Sequence, residues 1–154
     1  MIKFCLEKWD ANKELLEKHL RDHNYLGSVS YIDLVKMVVE IIFNTDSYIT
    51  YNVDEITEID NGSYQGTLLF LIPVETYQPY EGDYLMTYVG YGSCSGCDTL
   101  QNIQSFIDYE DEGEVVSDRV IADFMTLCKD IVTNTIRPYN HGWRYDLTFD
   151  TVDF

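Results

Sequence analysis

Tyr51-Asn52-Val53-Asp54-Glu55-Ile56-Thr57-Glu58-Ile59, then Asp60-Asn61-Gly62-Ser63, then Tyr64-Gln65-Gly66-Thr67-Leu68-Leu69-Phe70-Leu71-Ile72-Pro73-Val74 reads as strand, turn and strand. Asn-Gly between two β-rich runs is a strong local hairpin signal, because both residues tolerate the left-handed backbone of tight turns. Pro73 and Pro79 bracket a loop, after which Tyr84 to Tyr91 reads as a third strand. An antiparallel sheet therefore forms the middle of the chain.

Helical patterning flanks it. Asp10 precedes apolar positions at helical spacing and predicts a first helix over roughly residues 10–23. Ser30 and Asp33 form a capping-box-like pair ahead of Leu34 to Phe43, whose charged residues Asp33, Lys36 and Glu40 make one narrow wet stripe on a mostly buried second helix. Asp98 to Ile107 reads as a short helix, and Asp108-Tyr109-Glu110-Asp111-Glu112-Gly113-Glu114 as an acidic loop that ends it. Ser117 caps a further helix with Val120, Ile121, Phe124, Met125, Cys128, Ile131 and Val132 on one face. Pro138 and Gly142 end that region, and Trp143, Tyr145, Leu147 and Phe149 alternate with polar residues as a half-buried strand. The predicted class is α+β, a single domain over 1–154 with about four antiparallel strands packed on helices in the order ααβββααβ.

The 154 residues are 45% hydrophobic and 24% charged, which is globular rather than disordered. The start of the chain has no signal-peptide core and no later stretch is long and apolar enough to span a membrane, so a cytoplasmic protein is expected. Four cysteines are too few and too irregularly spaced for a disulfide scaffold, which agrees.

Charge is the main anomaly. The net of −17 is concentrated in residues 46–128, where sixteen acids face the single base Arg119, a net of −15. Such a field repels nucleic acid and anionic membrane and favours a basic partner. The plainer alternative is that the acids only solubilise the protein. The expected partner-binding face comprises Asp108, Tyr109, Glu110, Asp111, Glu112 and Glu114, with Glu75, Glu81 and Asp83 as a second cluster. Thirteen tyrosines are a second anomaly; Tyr77, Tyr80 and Tyr109 fall in predicted loops beside these acids, where a rigid ring with a polar tip suits an interface.

No phosphate loop, hydrolase elbow or HExxH pattern occurs, and His141 reads as a loop residue, so no catalytic residue is assigned. Cys94-Ser95-Gly96-Cys97 lies between a predicted strand and a predicted helix, a setting that suits thiol–disulfide exchange. The same cysteines can supply two zinc ligands, with His19 and His23 at i, i+4 supplying the others. A third reading makes them small packed thiols in a tight turn. Zinc is the one cofactor considered; otherwise none is expected.

Tyr64-Gln65-Gly66-Thr67-Leu68-Leu69-Phe70, followed by Tyr88-Val89-Gly90-Tyr91-Gly92-Ser93-Cys94-Ser95-Gly96-Cys97-Asp98-Thr99-Leu100-Gln101, resembles an uncharacterised group of proteins from phages and prophages of Gram-positive bacteria, over about Asp60 to Ile103. The resemblance implies a phage-encoded accessory protein acting inside a bacterial host, and it carries over no activity or cofactor. By analogy of charge with small acidic phage inhibitors, the expected function is non-catalytic inhibition of a host nuclease or other nucleic-acid-binding defence protein, of anti-CRISPR or anti-restriction type. A zinc-stabilised binding module and a CxxC redox protein are the alternatives.

Overall fold

In a computed structural model the chain is described over residues 1–137. Helix α1 (Ile2–Asp22) starts well before the expected Asp10, because Cys5, Trp9, Asn12, Leu16 and Leu20 recur on one buried face through that point. Asp10 caps nothing; it sits mid-helix, 3.6 Å from Lys13 one turn on. Helix α2 (Tyr31–Val38) starts where the sequence places it, with the Ser30 N–H donating to Asp33 Oδ2 at 2.8 Å. It runs on as a π-helical segment, Val39–Phe43, closed by the Asn44 N–H on the Val39 carbonyl at 2.9 Å. Wide turns leave carbonyls in need of partners. The buried Asn12 of α1 donates to the Ile42 carbonyl at 2.9 Å and meets that need.

The hairpin and the third strand form, but the second strand starts at Gly66 rather than Tyr64, so a longer loop replaces the expected tight turn and neither Asn61 nor Gly62 takes left-handed backbone. Strands β1 (Thr57–Asp60), β2 (Gly66–Pro73) and β3 (Tyr84–Tyr91) make one antiparallel sheet in that order. The expected strand from Tyr51 is confined to its last residues, because Val53–Glu55 coil into a 3₁₀ turn capped by Asn52. Asn61 closes the β1–β2 loop with its side chain, whose Oδ1 accepts from the Thr67 N–H at 2.8 Å. Gly62 is required there by space: a Cβ would stand 2.1 Å from the Gln65 carbonyl oxygen.

Register puts Leu68, Phe70 and Ile72 of β2 opposite Val89, Thr87 and Leu85 of β3, a shared face whose buried members are Phe70, Ile72, Leu85, Thr87 and Val89. Helix α4 (Asp118–Thr133) lies on this face, capped by Ser117 Oγ, which accepts from the Val120 N–H. Its Val120, Ile121, Phe124, Leu127, Cys128, Ile131 and Val132 are buried. Each such large apolar side chain contributes about 1.5–3 kcal/mol on burial. Thr87 is no defect in this core, since its hydroxyl donates to the Ile131 carbonyl of α4 at 2.8 Å. Helices α1 and α2 pack on α4 and complete a single core.

Between β3 and α4 the chain departs from expectation. Helix α3 is short, Thr99–Gln104, with Asp98 as its cap. The segment expected as an acidic loop is a second hairpin, β4 (Asp108–Glu110) paired with β5 (Gly113–Val115). The described order is therefore ααβββαββα, an α+β fold with a three-stranded and a separate two-stranded sheet. The strand expected at Trp143 to Phe149, and the loop reading of His141, lie outside the described residues.

Candidate functional site

The acidic hairpin is a built object rather than a tether. Glu110 faces Gly113 across the ladder, which leaves Asp111 and Glu112 at the turn, and Gly113 adopts a φ of 123° that a side chain disfavours. Tyr109 and Glu114, an opposed pair, point back to the body of the protein. The Gly27 N–H donates to both Glu114 carboxylate oxygens, at 2.8 and 3.2 Å. The Tyr109 hydroxyl lies so close to Gly27 that a Cβ there would be 2.0 Å from it. Alternation then sends Asp108 and Glu110 to the opposite face. Asp108, Glu110, Asp111 and Glu112 are all exposed, and none forms an ion pair with another described residue. Arg119, the one base of the acidic stretch, lies with its guanidinium 5.9 Å from the centre of the Phe106 ring. Glu114, expected among the binding carboxylates, is instead the hairpin's anchor.

The second cluster is less free. Asp83 Oδ2 accepts from the Tyr80 N–H at 2.9 Å and holds the 3₁₀ turn Glu81–Asp83. Glu75 is exposed and accepts from the Thr50 hydroxyl at 3.3 Å. Tyr77 and Tyr80 stand out at 97% and 78% exposure, and Tyr109 keeps 65% despite its contact with Gly27. A groove of about 360 Å³ runs beside Tyr77, lined also by Glu55, Pro73, Pro79 and Tyr84.

The cysteine turn is held by Asp98, which is buried and accepts three hydrogen bonds. The Gly92 N–H reaches Oδ2 at 2.9 Å, while the Gln101 N–H and the Tyr31 hydroxyl reach Oδ1 at 2.9 and 3.1 Å. The Tyr31 oxygen also accepts from the Leu100 N–H, and burial pushes the Tyr31 phenol up to about 12. On this pinned turn Cys94 and Cys97 are both exposed, unlike the packed thiols of the plainer reading. Their sulfurs are 3.1 Å apart, and the Cys94 N–H donates to Cys97 Sγ at 3.3 Å. Hydrogen bonds from the Cys94 thiol, the Cys94 N–H and Ser93 hold the Cys97 thiol below its ordinary range. Cys5 and Cys128 are buried, and burial alone pushes the Cys128 thiol up to about 12.

The four residues considered for zinc are not brought together: among the described residues no group of three or more His, Cys, Asp or Glu is arranged to hold a metal ion. His19 and His23 face each other edge to face with ring centres 6.0 Å apart, and His23 Nδ1 accepts from the Tyr25 N–H at 3.0 Å. Nor is any described helix long and apolar enough to cross a membrane. No protein-family model, curated protein or solved structure matches this chain.

Proposed function

We propose that the protein is a non-catalytic inhibitor that binds, through the β4–β5 hairpin, the basic nucleic-acid-binding groove of a protein partner. The observation that carries this reading is the projection of Asp108, Glu110, Asp111 and Glu112 from one anchored hairpin, all exposed and unpaired. Residues two apart on a strand stand about 6.8 Å from each other on the same face, so Asp108 and Glu110 form a short ordered row rather than a diffuse cloud. A groove that holds rows of Lys and Arg for phosphates meets such a row with complementary potential, and its nucleic acid is then excluded by steric competition. A rigid hairpin also loses little freedom on docking, which favours affinity over what a floppy acidic loop gives. The exposed rings of Tyr77 and Tyr80 offer apolar contact at the second cluster. On the resemblance to phage proteins, the partner is a nuclease or other defence protein of the bacterial host.

The test is capture from a Gram-positive host lysate by the wild-type protein and by Asp108→Asn/Glu110→Gln/Asp111→Asn/Glu112→Gln. Specific partners are expected to be released by DNA or RNA competitor and by rising salt, and to be retained far less by the variant. Partners held equally by both proteins, and indifferent to nucleic acid, sink the reading.

A further inference from the structure

We propose that Cys94 and Cys97 form a thiol–disulfide exchange site, with Cys97 as the attacking sulfur and Cys94 as the resolving one. The geometry is that of a dithiol ready to close. The sulfurs lie 3.1 Å apart, and side-chain rotation alone brings them to the ~2.05 Å of a disulfide. The Cys97 N–H donates to the Cys94 carbonyl at 3.1 Å, which marks a tight turn. Such a turn keeps its end Cα atoms within ~7 Å, overlapping the ~4.4–6.8 Å that disulfides span. The backbone already has the required shape, because Asp98 pins it from Gly92, Gln101 and Tyr31.

The two sulfurs are not equivalent. Cys97 Sγ accepts from the Cys94 N–H and lies against Gly92, where a Cβ would be 2.7 Å away, so glycine makes room for it. Charge on Cys97 is stabilised by the Cys94 N–H and by the Ser93 hydroxyl 3.8 Å away, and the thiolate is the form that attacks. The Asp98 carboxylate, the nearest acid in sequence, is buried with both oxygens engaged.

The oxidant is a small-molecule or protein disulfide, RS–SR. Cys97 thiolate attacks one of its sulfurs, forming Cys97–S–SR and expelling RS⁻. Cys94, after giving up its proton, attacks Cys97 Sγ, expels the second RS⁻ and leaves the Cys94–Cys97 disulfide. Two thiols are oxidised and one disulfide is reduced to two thiols. Exposure places the product in the labile, readily reversed class of disulfides.

The experiment uses the whole chain, reduced and then freed of reductant. Brief native alkylation with iodoacetamide, mapped by mass spectrometry, is expected to label Cys97 first, Cys94 more slowly, and Cys5 and Cys128 only after denaturation. A series of reduced and oxidised glutathione ratios is expected to convert the wild type reversibly to the internal disulfide. Under the same series Cys94→Ser accumulates a glutathione adduct on Cys97, and Cys97→Ser acquires far less on Cys94. Faster labelling of Cys94, or a wild-type pair that stays dithiol throughout, overturns the proposal. The labelling map is read on wild type, so it stands even if a variant folds poorly.

Discussion

The Asp98 carboxylate accepts hydrogen bonds from three separate parts of the chain. It caps α3, ties that helix to β3 through the Gly92 N–H, and ties both to α2 through Tyr31. Asp98→Ala leaves buried N–H groups without acceptors, and a hydrogen bond to a charged group is worth about 1.5–3 kcal/mol. Urea denaturation of Asp98→Ala is expected to show a loss of about 2–4 kcal/mol, allowing for the cap as well. Asp98→Asn keeps one acceptor oxygen for Gln101 and Tyr31 but turns an amide NH2 toward the Gly92 N–H, and should lose roughly half as much. Equal losses for the two variants would show that charge, not hydrogen-bond geometry, holds the turn. From the sequence this residue reads as the start of a short helix; its other partners lie 67 residues away at Tyr31 and at the end of β3.

At the scale of elements, the β4–β5 hairpin shows what a local pattern misses. Its three-residue strands are rich in acids, which are depleted in strands and repel one another, so a loop is the sound local reading. Tertiary contact reverses that preference: the Gly27 N–H seizes Glu114 and Tyr109 stacks down onto the same glycine. Glu114→Ala removes the seized carboxylate, and the hairpin then opens by itself. Hydrogen exchange should show faster exchange at Gly27 and at the β4–β5 amides, with α1 and α4 protected as before. Uniformly faster exchange across all helices would mean that the hairpin is part of the global folding unit, and unchanged exchange that Glu114 anchors nothing. The β1–β2 hairpin, by contrast, is legible because its Asn61-Gly62 signal is local and β2 is a long apolar run whose Phe70, Ile72 and Pro73 are buried, although β1 itself is exposed throughout.

Across the whole molecule, −15 of the −17 charges lie in residues 46–128. Among the described residues Lys13 pairs with Asp10 and Arg21 with Glu17 and Asp118, and each of these pairs draws its base from α1. With sixteen acids and one base in residues 46–128, like charges in this stretch repel, and salt shortens the reach of that repulsion to about 8 Å at physiological ionic strength. The melting temperature is expected to rise by several degrees from low salt to about 0.15 M, and more for wild type than for the hairpin variant neutralised at Asp108, Glu110, Asp111 and Glu112. A melting temperature that falls with salt would show that attractive pairs outweigh the repulsion.

By itself the sequence determined the α+β class, the capping of α2 and α4, the β1–β2–β3 meander and the segregation of charge, because these follow from residue periodicity, capping chemistry and turn signals within a few positions. Only the tertiary structure decided that Asn12 answers the carbonyl of a π-helical turn, and that the acids of residues 108–114 form an anchored hairpin. It also separated Glu114 from the free carboxylates, and set Cys94 and Cys97 exposed at 3.1 Å on a turn pinned by Asp98. The physical reason is the same in each case: the deciding hydrogen bond or contact joins residues 30 to 87 positions apart, and short-range pattern has no knowledge of which distant group will be there to answer.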